Sequence, residues 1–83
     1  MPPEQQTAYL HRERKGRGGK AVTVIKNLQL TDEDRKTLAK ALKKSVGVGG
    51  SVSGEDIIIQ GEDRERIAAV LQKMGYKTKI AGG

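Results

Sequence analysis

Residues 21–46 read AVTVIKNLQLTDEDRKTLAKALKKSV, and the spacing of apolar residues changes once within them. Val22, Thr23, Val24 and Ile25 form the β-branched run of a buried strand over Ala21–Lys26. Leu38, Ala41, Leu42 and Val46 then recur at intervals of three and four, which places them on one side of a helix. Between the two stands Thr31, a good N-cap. Asp32, Glu33 and Asp34 follow it, where free N–H groups and the helix dipole favour negative charge. A central strand followed by a helix over about residues 32–45 is therefore predicted, with the apolar side of the helix on the sheet.

Working outward, Tyr9–Lys15 precedes the tetrapeptide Gly16-Arg17-Gly18-Gly19 and is expected to be the first arm of a hairpin whose returning arm is Ala21–Lys26. Residues 1–7, with Pro2 and Pro3, are expected to be a flexible tail, leaving 8–83 as one domain. Downstream, Gly47 ends the helix and a short strand is expected around Ser51–Ser53. Asp56–Gln60, with Ile57, Ile58 and Ile59, is apolar on both faces and is expected to be central. Ile67, Val70, Leu71 and Met74 mark a second helix over about Asp63–Met74, with Met74 assigned to the core. Tyr76, Thr78 and Ile80 alternate with Lys77 and Lys79, which predicts a last strand with one buried face. The order β-β-α-β-β-α-β implies an α/β two-layer sandwich: a mixed sheet of four or five strands with two helices on one face.

A chain of 83 residues buries only about 60–65% of its unfolded surface, so the core is thin. With no Phe or Trp it has to be built from Ile, Val, Leu and Ala. The lack of cysteine excludes disulfides and thiolate metal sites. No apolar run is long enough to span a membrane and none near Met1 resembles a secretory signal, so a cytoplasmic location is expected.

Catalysis is not supported. Gly19-Lys20 resembles the end of a phosphate-binding loop, but Arg14 stands where the first glycine is required and Ala21 where a Ser or Thr would hold Mg²⁺. Gly47-Val48-Gly49 has Val52 in place of the third glycine of a dinucleotide fingerprint. His11 is the only histidine, and the acids fall at helix starts or beside cations. No enzyme activity and no cofactor are expected.

Charge is what remains. Residues 1–50 hold 11 Lys and Arg against 5 Asp and Glu, whereas residues 51–83 hold 5 of each. Arg12, Arg14, Lys15, Arg17, Lys20 and Lys26 crowd the hairpin with Glu13 as the single acid. Lys36, Lys40, Lys43 and Lys44 form a one-sign stripe on the first helix, with Arg35 flanking it. Such a distribution suits a polyanion. With Tyr9 and Tyr76 the only aromatics, contact with phosphates and sugars of a structured RNA is expected rather than the aromatic sheet of an RRM.

Four motifs in order then resemble a known family: Lys15-Gly16-Arg17-Gly18-Gly19-Lys20 with Val22-Thr23-Val24-Ile25; Val46-Gly47-Val48-Gly49-Gly50-Ser51-Val52; Ile59-Gln60-Gly61-Glu62-Asp63-Arg64; and the close from Gly75 to Gly83. From Arg14 onward, 70 of 83 residues, the chain is similar to translation initiation factor one, the suppressor-of-initiator-codon domain, in its short bacterial form. The resemblance implies a role on the small ribosomal subunit near the peptidyl site, in selection of start codon and initiator tRNA. It implies that the basic loop of the family corresponds to Arg14, Lys15, Gly16, Arg17, Gly18, Gly19 and Lys20, and that its RNA-facing first helix carries Lys36, Lys40, Lys43 and Lys44. With Arg12 from the charge cluster, these are the expected RNA-binding residues. Small-subunit RNA is the expected partner, with initiator tRNA and mRNA near the decoding site as further partners, and the domain is expected to be a monomer. Val46 and Val48 stand where many relatives carry cysteine, and Gln60-Gly61-Glu62 replaces the family's Gln-Gly-Asp. Two other uses of the same charges stay open at this point: a general RNA- or nucleoid-binding protein, and a module that docks an acidic protein through the lysine helix.

Overall fold

A computed structural model shows the fold; residues 5–15, 20–61 and 63–81 are described, with Lys15 and Lys20 described by backbone alone. The elements are β1 (Thr7–Lys15), β2 (Lys20–Lys26), α1 (Asp32–Val46), β3 (Gly50–Ser53), β4 (Asp56–Gln60), α2 (Arg64–Lys73) and β5 (Lys77–Ala81). This is the expected order. The five strands lie β3-β4-β2-β1-β5, so both runs expected to be central, β2 and β4, have neighbours on each side. All pairs are antiparallel except β1 with β5, which makes the sheet mixed.

Alternation along the strands separates two faces. Ala8 and Leu10 of β1, Ile25 of β2, and Ile57 and Ile59 of β4 join Leu38, Ala39 and Leu42 of α1 and Ile67, Ala68 and Leu71 of α2 in one core cluster. α1 packs against β3 and β4, and α2 against β1 and β5. Thr23 is fully buried on this side, and its hydroxyl donates to the Gly61 carbonyl at 3.0 Å. The opposite face, with Tyr9, His11, Val22, Val24, Lys26, Ile58, Lys77 and Lys79, has no helix over it.

The helix ends follow their local chemistry. The Thr31 hydroxyl accepts from the Asp34 N–H at 3.1 Å, and Gly47, at φ 69°, closes α1 with its N–H on the Lys43 carbonyl at 2.9 Å. Asp63 caps α2 by accepting from the Arg66 N–H at 3.2 Å. Gly50 is required for another reason: a Cβ there would collide with the Ile58 carbonyl of the adjacent strand.

Five residues depart from expectation. β1 begins at Thr7 rather than Tyr9, and Gln6 is buried, so the end of the expected tail is held. The Gln6 side-chain oxygen accepts from the Gln29 N–H at 2.7 Å and its carbonyl from the Lys77 N–H at 3.1 Å. Arg35 leaves the cationic flank and is only 4% exposed. Its guanidinium donates to the carbonyls of Leu30 at 3.0 Å and Leu28 at 3.4 Å and meets Asp32 at 3.4 Å, tying the β2–α1 connection to the helix. Met74 is at the surface instead of in the core, because α2 stops at Lys73 and Met74 lies beside a groove with Leu30, Leu38 and Tyr76. Ile80 shares the face of Leu10 by register but is 43% exposed, since β5 is an edge strand.

Tyr76 precedes β5 and is half-buried in that groove. Burial, and then the nearby Asp34 carboxylate, raise its phenol above the ordinary value of 10.0. The neutral phenol is thus the form the fold favours. The stability this confers is complete below the ordinary pKa and is lost as pH rises through the raised one. Tyr76→Phe is accordingly expected to flatten the fall of the urea midpoint above about pH 10; an unchanged slope would show that Tyr76 does not contribute to it.

Candidate nucleic-acid interface

The basic hairpin is set apart by strand length. β1 has no β5 neighbour after His11, which pairs with Ala81, and β2 pairs with β4 only from Val22, opposite Gln60. Arg14–Lys15 and Lys20–Ala21 pair with each other and, among the described residues, with no other strand. They form a two-stranded arm that projects past the sheet, with Arg12 at its base. Arg12 and Arg14 are exposed and alternate on the side of Leu10, while the backbones of Lys15 and Lys20 stand opposite each other at the last described pair. Gly16, Arg17, Gly18 and Gly19, where the turn is expected, lie outside the described residues, as does Glu62.

The hydrogen bonds show what adjoins the arm. The Gly61 N–H donates to the Ala21 carbonyl at 3.0 Å and the Gln60 N–H to the Gly49 carbonyl at 2.8 Å. The end of β4, the segment following α1 and the root of the arm therefore meet at one end of the sheet. α1 brings Lys43 and Lys44 to this end in its last turn, where they also complement the negative pole of the helix. Lys36, Lys40 and Lys44 are exposed and Lys43 is half-buried. Leu38, Thr37 and Ala41 look toward Met74 and Tyr76, whereas Lys36 lines a cleft with Val52, Gly54 and Glu55 of the β3–β4 hairpin. Lys36 thus lies on the β3 side of α1, while Lys43 and Lys44 stand in the last turn, at the end of the helix nearest the arm.

Among the second-helix cations, Arg64 is bound internally, donating to the Ala81 carbonyl at 3.2 Å. Arg66 is exposed beside Val48, Gln60 and Asp63 at the same end of the sheet, a position that sequence spacing does not reveal. Only the pairing of β4 with β2, which carries the start of α2 toward the arm, would have pointed to it. Among the described residues, no three His, Cys, Asp or Glu side chains converge as a metal site would require. Among the described residues, no helix is long and apolar enough to cross a membrane.

The arm and α1 both fall within residues 4–77, which match the family model for translation initiation factor SUI1. The chain belongs to the SUI1 family. SUI1 proteins are translation initiation factors and not enzymes. The chain is 47% identical over 83 residues to the uncharacterized protein sll0546 of Synechocystis, a match covering the whole chain and 75% of that relative. It is 40% identical over 82 residues to the uncharacterized protein YciH of Escherichia coli, covering 99% of the chain and 76% of YciH. The SUI1 homolog of Sulfurisphaera tokodaii, named a protein translation factor, is 44% identical over 62 residues, which is 75% of this chain and 62% of that protein.

Proposed function

We propose that this SUI1 protein binds the small ribosomal subunit near the peptidyl site and influences the choice of start codon and initiator tRNA. The observation that carries the proposal is the convergence of two cationic elements, the projecting arm with Arg12 and Arg14 and the lysine side of α1, at one end of the sheet. The sequence between β1 and β2, Gly16-Arg17-Gly18-Gly19, is rich in glycine and flanked by Lys15 and Lys20, a composition suited to bringing backbone N–H groups and cationic side chains to the phosphates of an RNA groove. Lys36, Lys40, Lys43 and Lys44 then anchor the body of the domain on adjoining RNA. Such contacts read the shape of a folded RNA more than its sequence, which suits a ribosomal partner. The protein acts as a monomer in the cytoplasm.

Co-sedimentation with small subunits at near-physiological salt tests this, with large subunits and total tRNA as separate competitors. The expected result is saturable binding that neither competitor displaces. Equal binding to every RNA would instead make the protein a general nucleic-acid binder.

A further inference from the structure

The helix-free face of the sheet presents a different surface, with its own chemistry. Ala8 and Leu10 are buried in the core, so Tyr9 and His11 project from the other side. Tyr9 is 37% exposed. Register places Lys26 of β2 opposite it and Lys79 of β5 beside it, with Lys77 next to Thr7 one step along; all three lysines are exposed. Neighbouring strands lie about 4.8 Å apart, so the backbones of Lys26 and Lys79 flank that of Tyr9 at about 10 Å from each other. Among the described residues two acids share this face: Asp56, just beyond the last β2–β4 pair on the far side of Lys26, and Glu13, nearer the arm. Neither lies on the β5 side of Tyr9.

We propose that this face is a second nucleic-acid site, centred on Tyr9, that takes one or two nucleotides of single-stranded RNA. The exposed ring offers a stacking surface for a base and the flanking ammonium groups meet the phosphates on either side. Its polarity argues against a protein partner. Val24, the apolar floor of the face, is only 2% exposed and Val22 is buried, so little apolar area remains around Tyr9 for a protein to cover, while the exposed groups in its row are its own phenol and the ammonium ions of Lys26 and Lys79. The site is separate from the arm and the lysine side of α1, and does not rest on subunit binding.

The test is an anisotropy titration of the whole protein with a fluorescein-labelled single-stranded octauridylate at low salt. Tyr9→Ala is expected to weaken binding about tenfold or more, and Tyr9→Phe, which keeps the stacking ring, by less than about twofold. Lys26→Gln with Lys79→Gln is expected to make the salt slope shallower by roughly 1.4. Lys40→Glu with Lys44→Glu, on α1 and across the sheet from Tyr9, is expected to leave octauridylate affinity within about threefold while lowering co-sedimentation with small subunits; Tyr9→Ala is expected to do the reverse. Circular dichroism of each variant establishes that it is folded, and Tyr9→Phe retains the test if Tyr9→Ala is not. Equal losses for the Tyr9→Ala and the Lys40→Glu, Lys44→Glu proteins would overturn the site, as would a Tyr9→Phe loss of tenfold. Displacement of the octauridylate by polyglutamate as readily as by unlabelled RNA would also overturn it, in favour of an acidic protein ligand.

Discussion

Reversal of Arg14, Lys15 and Arg17 to glutamate is expected to lower affinity for small ribosomal subunits by about two orders of magnitude or more, with the domain still folded. Each reversal removes one neutralised phosphate and sets an anion against the RNA backbone. Arg14 lies outside the core: it is exposed, its backbone partner is Ala21, and among the described residues no strand beyond the hairpin pairs with it. Thermal unfolding should therefore shift by only a few degrees. A second readout separates phosphate binding from indirect damage. With three fewer phosphates neutralised, the slope of log affinity against log salt should become shallower by roughly 2 to 3. Unchanged affinity in a titration against small subunits would remove the arm from the interface.

Leu42→Ala is expected to cost about 3 kcal/mol, within the range found when a buried leucine is cut back to alanine. Leu42 has no exposed surface and sits where α1 meets the sheet, in a core that includes Ile57, Ile59 and Leu71. Those neighbours are aliphatic and already buried, and with no Phe or Trp in the chain none is large enough to swing into the void. For a domain of this size the total stability is on the order of 4–12 kcal/mol, so the substitution removes a large share. The melting temperature should fall by about 12–20 °C. In urea the midpoint should drop with the slope preserved, because the folded state is less well packed while the surface exposed on unfolding is nearly the same. A loss below about 1 kcal/mol would contradict the packing of α1 on the sheet.

The fold was legible wherever a residue's role is set by its neighbours in sequence. Thr31 with the three acids after it marked the start of α1, Gly47 marked its end, and the run Val22–Ile25 marked a central strand. What was not legible depends on distant partners. Arg35 lies near enough to the Lys36–Lys44 stripe to be counted with it, but one end of its guanidinium donates to the carbonyls of Leu28 and Leu30 inside the fold. Ile80 has the alternation of a half-buried strand, and whether that half is covered depends on where β5 falls in the sheet. Gln6 is polar and follows two prolines, so nothing local announces that it will bond to Gln29 and Lys77. The proposed interface divides the same way. Its cations can be counted from the sequence, while the meeting of the arm with the end of α1 requires the pairing of β2 with β4, and the row Lys26, Tyr9 and Lys79 requires the parallel pairing of β1 with β5.

That parallel pairing has a consequence during synthesis. Thr7 bonds alongside Lys77, its neighbour in space at a distance of 70 positions in sequence. β1 can form its hairpin with β2 early, since that pairing is local, but its other edge stays open until residues 77–81 have left the exit tunnel. Closure of the sheet is thus among the last events of folding, and a nascent chain held before Lys77 exposes the edge of β1 together with the apolar residues that α2 and β5 would cover.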